Sequence, residues 1–244
     1  MARDFTIQRE KLQQVPDLLK QNGIDAWLTF VRETNLSPDP ALDLILGLDV
    51  TWISAFLVTQ ENKRVAIVGR YDVETVKRMG GFQEIIGYDN DIFPALITVL
   101  TRHDPGTIAI NYSDRDVAAD GLSYGLWRVL TRGLGHTTFK HRLVSAEPLI
   151  GSLRGRKTPT EIERIREAIH TTERIFDAIS DFVKVGQSEV QIADYITTQM
   201  QRFDVKPSFD ALVSVGPDSA MGHALPEERY RITPGQLLHI DMGV

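Results

Sequence analysis

Apolar and polar positions repeat with two different periods over the first 150 residues. Spacings of three and four are typical of amphipathic helices, whereas short apolar runs and strict alternation are typical of strands. The predicted helices cover residues 8–22, 71–80, 93–102 and 115–132. The predicted strands cover residues 25–30, 53–59, 64–69, 82–88, 107–111 and 138–143. Helices and strands in turn predict a three-layer α/β domain with a mixed sheet.

Turn and breaker residues refine this first part. Pro16 lies inside the first predicted helix, where proline bends or restarts a helix. The polar residues 60–63 separate two apolar runs and predict a β-hairpin with a longer loop. The proline-rich residues 37–43 predict a surface loop.

A second pattern follows residues 151–161, whose glycine and basic residues predict an interdomain linker. Thr158 as N-cap, Pro159 at the first helical position and Glu161 in a capping box predict the start of a long helix. The helix is predicted to end at Gly186. Its predicted apolar face consists of Ile162, Ile165, Ile169, Thr172, Phe176, Ile179 and Val183. The sequence therefore predicts two domains, residues 1–150 and residues 151–244.

Ser188 and Gln191 form another capping box, which predicts a second helix in this domain. A strand over 209–216, a loop over 217–236 and a final strand over 237–244 follow. The sequence thus predicts a second domain of two helices and two strands, which looks like an incomplete fold.

The final strand alternates between two faces. Its predicted apolar face consists of Leu238, Ile240 and Met242, and its other face of His239, Asp241 and Gly243. A carboxylate in a buried strand is costly unless it has a partner. Asp241 therefore either caps a turn beyond the strand or offers its carboxylate to a metal ion or to catalysis.

His223 is the histidine whose position most favours a function. It lies in the long loop between the last two strands, and long ordered loops in compact domains are often functional. His239 shares a strand face with Asp241, so it is a candidate to support whatever Asp241 serves.

Composition narrows the classes of function. The chain is 42% hydrophobic and 25% charged, with a net charge of −6, as in ordinary globular proteins. It has no basic stripe with interleaved aromatic residues, so we expect no nucleic-acid partner. It has no run of about 18 apolar residues, so we expect no membrane span. The absence of cysteine excludes thiolate zinc sites and cysteine nucleophiles, and fits a cytoplasmic protein.

Four stretches of the second half, taken in order, resemble the pita-bread superfamily, which holds creatinase, Xaa-Pro peptidases and methionine aminopeptidases. These stretches are LRGRKTPTEIERIREA, GQSEVQIADYI, PSFDALVSVGPDSAMGHALPEE and ITPGQLLHIDMG. The first 150 residues fit the creatinase-type N-terminal domain. The resemblance implies an α/β creatinase-type domain with a mixed sheet, followed by an incomplete α+β pita-bread domain.

The resemblance also implies roles for two residues. Asp241 matches the first aspartate of a site for two divalent metal ions, usually manganese, cobalt or zinc. His223 matches the histidine that contacts the substrate and steadies the tetrahedral intermediate. Two such ions share a water molecule and lower its pKa. The implied activity is hydrolysis of short proline-containing peptides by an Xaa-Pro dipeptidase or aminopeptidase that is a homodimer.

The remaining metal ligands of that superfamily, one more aspartate, a histidine and two glutamates, fall beyond Val244. We therefore expect this chain to be the N-terminal part of a longer protein or a truncated gene product, inactive alone and with no stably bound metal. Two alternatives stay open. One is a metal-free amidinohydrolase like creatinase, and the other is a non-catalytic pita-bread module that binds peptides or proteins.

Overall fold

The computed structural model describes residues 3–216 and 224–244. The chain divides into two compact units, Met1–Thr160 and Glu161–Val244, called here the first and second units. The helices of the first unit are α1 (Thr6–Asn22), α2 (Leu42–Ile45), α3 (Val73–Met79), α4 (Phe93–His103), α5 (Tyr124–Gly133) and α6 (Glu147–Gly155). Its strands are β1 (Ala26–Val31), β2 (Ser54–Thr59), β3 (Arg64–Gly69), β4 (Glu84–Tyr88), β5 (Ile108–Ile110) and β6 (Leu143–Ser145).

The six strands form one mixed sheet in the order β4-β3-β2-β1-β5-β6. Strand β2 runs antiparallel to both β1 and β3, whereas the other neighbouring pairs are parallel. The predicted hairpin therefore exists as β2 and β3, and the predicted mixed sheet is confirmed.

Every residue of β1 and β2 is buried because helices cover both faces of the sheet. Trp27 and Phe56 point to the face covered by α1, α3 and α6. Leu28 and Phe30 point to the opposite face, covered by α4 and α5. These three layers are the predicted α/β architecture.

Helix α1 is a single element with Pro16 in its interior, so of the two predicted effects, a bend or a restart, the restart does not occur. The helix ends at Asn22, and the following residue, Gly23, has a φ of 65° in the left-handed region. Glycine adopts this conformation without the steric cost of a Cβ atom, which explains the stop at this position.

The prediction of a surface loop over residues 37–43 is wrong for its second half. Asp39 and Ala41 are buried, and Leu42 begins α2. Asp39 holds the segment inside, since its Oδ1 accepts from the Ala41 amide at 2.8 Å and its Oδ2 accepts from Asn111 Nδ2 at 2.9 Å. A sequence shows the prolines of this segment but not the distant asparagine that pairs with it.

Two other predictions in this unit are wrong in their limits. Residues 115–132 form a 3-10 turn and the separate helix α5, because the Ser123 hydroxyl accepts from the Leu126 amide at 3.3 Å and starts a new helix there. Residues 138–143 contain a 3-10 turn over Phe139–His141 rather than a strand. Strand β6 begins only at Leu143.

The predicted linker begins inside a helix. Residues 151–155 form the end of α6, and Leu153 is fully buried. Lys11 of α1 caps this helix end. Its Nζ donates to the carbonyl oxygens of Leu153 at 2.7 Å and Arg156 at 2.8 Å. The ammonium thus satisfies carbonyls that a helix C-terminus leaves without an intrahelical partner.

The described part of the second unit contains two helices and a two-stranded antiparallel sheet. Its elements are α7 (Pro159–Phe182), α8 (Glu189–Arg202), β7 (Leu212–Val215) and β8 (Leu238–Asp241). Its buried core consists of Ile175, Ile179, Ile192, Ile196, Met200, Val213 and Met242. The prediction of an α+β second unit is confirmed.

The predicted apolar face of α7 is only partly buried. Ile179 is buried, but Ile162, Ile165, Ile169 and Phe176 are 39%, 43%, 54% and 39% exposed. Ile175, which the prediction did not assign to this face, is also buried. Helix α7 also ends at Phe182, before the predicted stop at Gly186. Among the described residues, no helix is long and apolar enough to cross a membrane.

Candidate metal and substrate site

Strands β7 and β8 carry the candidate metal ligand. Leu212 pairs with Asp241 and Ser214 pairs with His239 in the antiparallel register. Burial alternates along β8 as predicted, with half-buried Leu238 and Ile240 and exposed His239 and Asp241. The Asp241 carboxylate therefore faces solvent, and the expected cost of burying a charge in this strand does not arise.

His239 lies on the same strand face as Asp241, two residues before it. Its Nδ1 is 3.4 Å from the Ser214 hydroxyl oxygen on the neighbouring strand. A surface cavity of about 520 Å³ adjoins this part of β8 and is lined by His239 together with residues of α7. Phe176 and Val183 supply apolar walls of that cavity.

His223, the predicted substrate contact, lies outside the described residues. Within residues 3–216 and 224–244, no group of three or more His, Asp or Glu side chains is placed to hold a metal ion. Asp241 is thus one suitable oxygen ligand on a strand, but one carboxylate does not make a site for two ions. The described residues alone do not fit a two-metal centre.

Glu189, which the sequence did not single out, is a buried carboxylate in the first turn of α8. The side chain is 1% exposed. Its Oε1 accepts from the Val215 amide at 2.9 Å, and its Oε2 accepts from the Glu227 amide at 3.0 Å. The predicted capping box of Ser188 and Gln191 is present and places Glu189 at the first position of α8. An acidic residue at that position is common on exposed helices, so the sequence did not distinguish this buried one.

Residues 186–189, at the start of α8, form backbone hydrogen bonds with residues 230–232, which precede β8. The Gly186 amide donates to the Ile232 carbonyl at 2.8 Å, and the Ile232 amide donates to the Gln187 carbonyl at 2.9 Å. The Glu189 amide donates to the Tyr230 carbonyl at 3.2 Å. Helix α8 and the chain that leads into β8 are therefore joined at this point.

Residues 163–244 match the profile described as Metallopeptidase family M24. The second unit belongs to the M24, or pita-bread, superfamily. The M24 match covers α7, α8, β7 and β8, so it includes Asp241 and Glu189. The predicted resemblance is confirmed.

Curated relatives that are similar to this chain are peptidases by name. An uncharacterized peptidase of Staphylococcus haemolyticus is 27% identical over 191 residues, which are 78% of this chain and 50% of the relative. An uncharacterized peptidase of Staphylococcus saprophyticus is 25% identical over 241 residues, 96% of this chain and 62% of the relative. The chain therefore spans about half to three-fifths of the length of these relatives.

Solved structures extend the likeness over both units of the chain. An Xaa-Pro dipeptidase from Bacillus anthracis has a TM-score of 0.71 at 20% identity and covers 97% of this chain and 61% of its own. An X-Pro aminopeptidase from Thermotoga maritima has a TM-score of 0.65 at 22% identity, with coverages of 95% and 60%. At these identities the likeness shows the fold, including the mixed sheet of the first unit.

Proposed function

We propose that this chain contributes to a metal-dependent Xaa-Pro peptidase that hydrolyses short proline-containing peptides, either as a dipeptidase or as an aminopeptidase. The observation that carries the proposal is the M24 match over residues 163–244, within which Asp241 ends β8 with its carboxylate exposed. The proline preference is supported by the names of the similar solved structures. In this proposal Asp241 is a metal ligand and His223 contacts the substrate.

The proposal includes two divalent ions, manganese, cobalt or zinc, and further ligands that the described residues do not supply. Carboxylate oxygens on a rigid strand suit such ions. The 244 residues alone would then hold no metal ion stably and would hydrolyse no peptide. We also propose that the protein is a cytoplasmic homodimer. Light scattering of the purified complete polypeptide tests whether it is a dimer.

The test is hydrolysis of Xaa-Pro dipeptides and tripeptides by the complete natural polypeptide with Mn²⁺. We expect Asp241→Asn to lower kcat/KM by at least about 100-fold, because losing a metal ligand costs at least as much as losing a group that orients one. Metal analysis of the same variant should show fewer than two ions per chain. Asp194→Asn, which changes an exposed aspartate of α8, is the matched control and should leave both values unchanged.

Unchanged activity and metal content in Asp241→Asn would contradict the role given to this residue. Hydrolysis of creatine by a metal-free protein would favour the amidinohydrolase instead. Peptide binding without turnover or bound metal would favour a non-catalytic module.

A further inference from the structure

The first unit has a surface cavity of about 420 Å³ at the edge of the sheet where the parallel strands β3 and β4 begin. Its charged lining residues are Lys63, Arg64, Glu84 and Arg102, with His103 beside them. Lys63 precedes β3, Arg64 begins it, and Arg102 and His103 end α4. Basic side chains from a strand, a turn and a helix thus line one cavity, called here the basic cavity. Its volume lies within the range of small-molecule sites.

The basic cavity has an excess of positive charge, although the whole chain has a net charge of −6. Burial and the neighbouring Arg102 lower the pKa of His103, so this imidazole is neutral at pH 7. The other basic residues are three cations, and with the Glu84 carboxylate they leave two positive charges among the lining residues. Glu84 is paired, since its Oε2 accepts from Arg102 Nη1 at 2.6 Å. The excess charge therefore belongs to Lys63 and Arg64.

Arg64 is a partly buried cation without a counter-ion. Within residues 3–216 and 224–244, its guanidinium forms no ion pair, and its buried Nε has no hydrogen-bond acceptor. Burial lowers the pKa of this guanidinium, which shows that the folded protein bears a cost of removing the charge from water. Such a cost is offset when the charge is paired and hydrogen-bonded. An anion bound in the basic cavity would supply that partner.

The backbone that carries the two excess cations is held in place. The Arg64 amide donates to Gln83 Oε1 at 2.8 Å, and the Arg64 carbonyl accepts from the Gln83 amide at 3.0 Å. The Lys63 amide donates to the Thr59 hydroxyl at 3.3 Å, and the Lys63 carbonyl accepts from the Thr59 amide at 3.0 Å. Binding a ligand between two fixed positions costs less conformational entropy than ordering a loose loop.

Stabilisation of helix α4 explains only part of this basic cluster. Arg102 and His103 lie in the last turn of α4, where the helix dipole favours positive charge. Lys63 and Arg64 belong to β3 and to the turn before it, so the capping of α4 does not account for their presence. The two residues that carry the excess charge are therefore the ones that lack a structural explanation.

We propose that the basic cavity binds a phosphate group, either as the free ion or as part of a small phosphate monoester. Arginine offers a planar fork of donors that matches an oxyanion, and lysine adds a point charge. A phosphate group carries about −1.5 to −2 charges at pH 7, which matches the two excess positive charges better than a single carboxylate does. Arg64 and Lys63 are its main ligands. The inference is independent of the proposed peptidase activity.

The first experiment measures binding of inorganic phosphate and of glycerol phosphate to the complete natural polypeptide by isothermal titration calorimetry at about pH 7.5. We expect the parent protein to bind at least one probe with a Kd of about 1 mM or lower. Arg64→Gln should raise that Kd at least about tenfold, because it removes charge-assisted hydrogen bonds. A Kd above about 20 mM for both probes in the parent protein overturns the proposal.

Arg128→Gln is the matched control. It removes one positive charge from an exposed position of α5 that does not line the basic cavity. We expect its Kd to stay within about twofold of the parent value, because exposed charges beyond the cavity are screened by salt. Equal weakening in Arg128→Gln and Arg64→Gln, or an unchanged Kd in Arg64→Gln, overturns the proposal. This comparison also excludes phosphate bound to metal ions elsewhere in the protein.

Glu84→Gln tests the charge of the cavity in the opposite direction. It removes the one carboxylate of the lining and releases Arg102, so we expect phosphate to bind at least about threefold more tightly. Weaker binding in both Glu84→Gln and Arg64→Gln would indicate a loss of structure and overturn the proposal. Where Arg64→Gln fails to fold, Lys63→Gln in the exposed turn carries the test, and an unchanged Kd in that variant overturns the proposal.

The two probes distinguish the two sources of phosphate. An equal Kd for both probes supports a site for the phosphate group alone. Tighter binding of glycerol phosphate supports a site that also contacts the organic part of a monoester. If the complete polypeptide hydrolyses no Xaa-Pro peptide, the proposed function fails, and the phosphate site is still decided by these binding measurements.

Discussion

The carboxyl group of Asp39 is buried in the interior of the first unit. Burial raises the pKa of this carboxyl, and the hydrogen bonds from Asn111 and from the Ala41 amide oppose that rise without cancelling it. An unfolded aspartate titrates near pH 3.9. Between about pH 3.9 and the raised folded pKa, the folded state therefore holds more of this proton than the unfolded state does. The stability contributed by Asp39 consequently falls as the pH rises through that window.

We predict that Asp39→Ala destabilises the protein most at low pH. Near pH 4 the variant should lose about 1–3 kcal/mol of unfolding free energy, because the Ala41 amide and the Asn111 side chain lose their acceptor. The loss should be smaller at pH 7, where the parent protein bears the cost of the buried charge. Urea denaturation at both pH values measures it, with exposed Asp17→Ala as the control. A larger loss at pH 7 than at pH 4 would contradict the raised pKa.

Lys11 is a second buried polar group of the first unit. We predict that Lys11→Met lowers the unfolding free energy by about 2–5 kcal/mol, because the carbonyl oxygens of Leu153 and Arg156 then lack this donor. Lys20→Met, at an exposed position of the same helix, should change it by less than about 0.5 kcal/mol. Equal losses in the two variants, measured by urea denaturation, would show that the buried ammonium contributes nothing specific.

For single residues, the sequence predicted the strand face of a side chain better than it predicted whether that side chain is buried. The alternation along β8 placed Asp241 on the correct face because the side-chain period of a strand is two. Its exposure depends on which elements cover that face, and this is a tertiary property. Glu189 was missed for the same reason, since its partners Val215 and Glu227 are distant in sequence.

At the scale of elements, helix α7 offers a direct comparison of two isoleucines. We predict that Ile175→Ala lowers the unfolding free energy by about 2–5 kcal/mol, because it leaves a cavity in the core of the second unit. Ile169→Ala, on the 54% exposed side chain, should change it by less than about 0.5 kcal/mol. The substitution and the helix are identical, so the difference reports burial. A matched loss would place Ile169 in a packed environment.

Elements that depend on local chemistry were predicted well. The hairpin of β2 and β3 and the capping box of α8 follow from residues close in sequence. Residues 37–43 were predicted incorrectly because Asn111, a partner distant in sequence, holds Asp39 inside. The 3-10 turn at Phe139–His141 was read as a strand because a short apolar and basic run has no distinct period.

At the scale of the whole molecule, the order of the strands in the sheet cannot be predicted from a single sequence. The alternation of helices and strands predicted a mixed sheet, but nothing in it placed β1 between β2 and β5. That position is set by the packing of helices on both faces and by long-range pairing. The M24 resemblance supplied the architecture of the second unit for the same reason, because it carries information that local patterns do not.

The central position of β1 leads to a prediction for hydrogen exchange. All of β1 pairs with β2, its first three residues also pair with β5, and helices cover both of its faces, whereas β4 and β6 lie at the edges of the sheet. We predict that the β1 amides are the slowest to exchange among the strands of the first unit, by at least about tenfold over those of β4 and β6. Mass spectrometry of peptides from each strand measures this. Equal protection across the sheet would contradict it.

The pairing of β1 also has a consequence for the chain as it leaves the ribosome. Strands β1, β2 and β3 are consecutive and pair locally, so they can form as soon as Gly69 has emerged. The other edge of β1 is covered by β5, which begins only at Ile108. At ordinary rates of translation the nascent protein therefore presents an open, apolar strand edge for about 2–8 s. We expect chaperones to bind the growing chain during that interval.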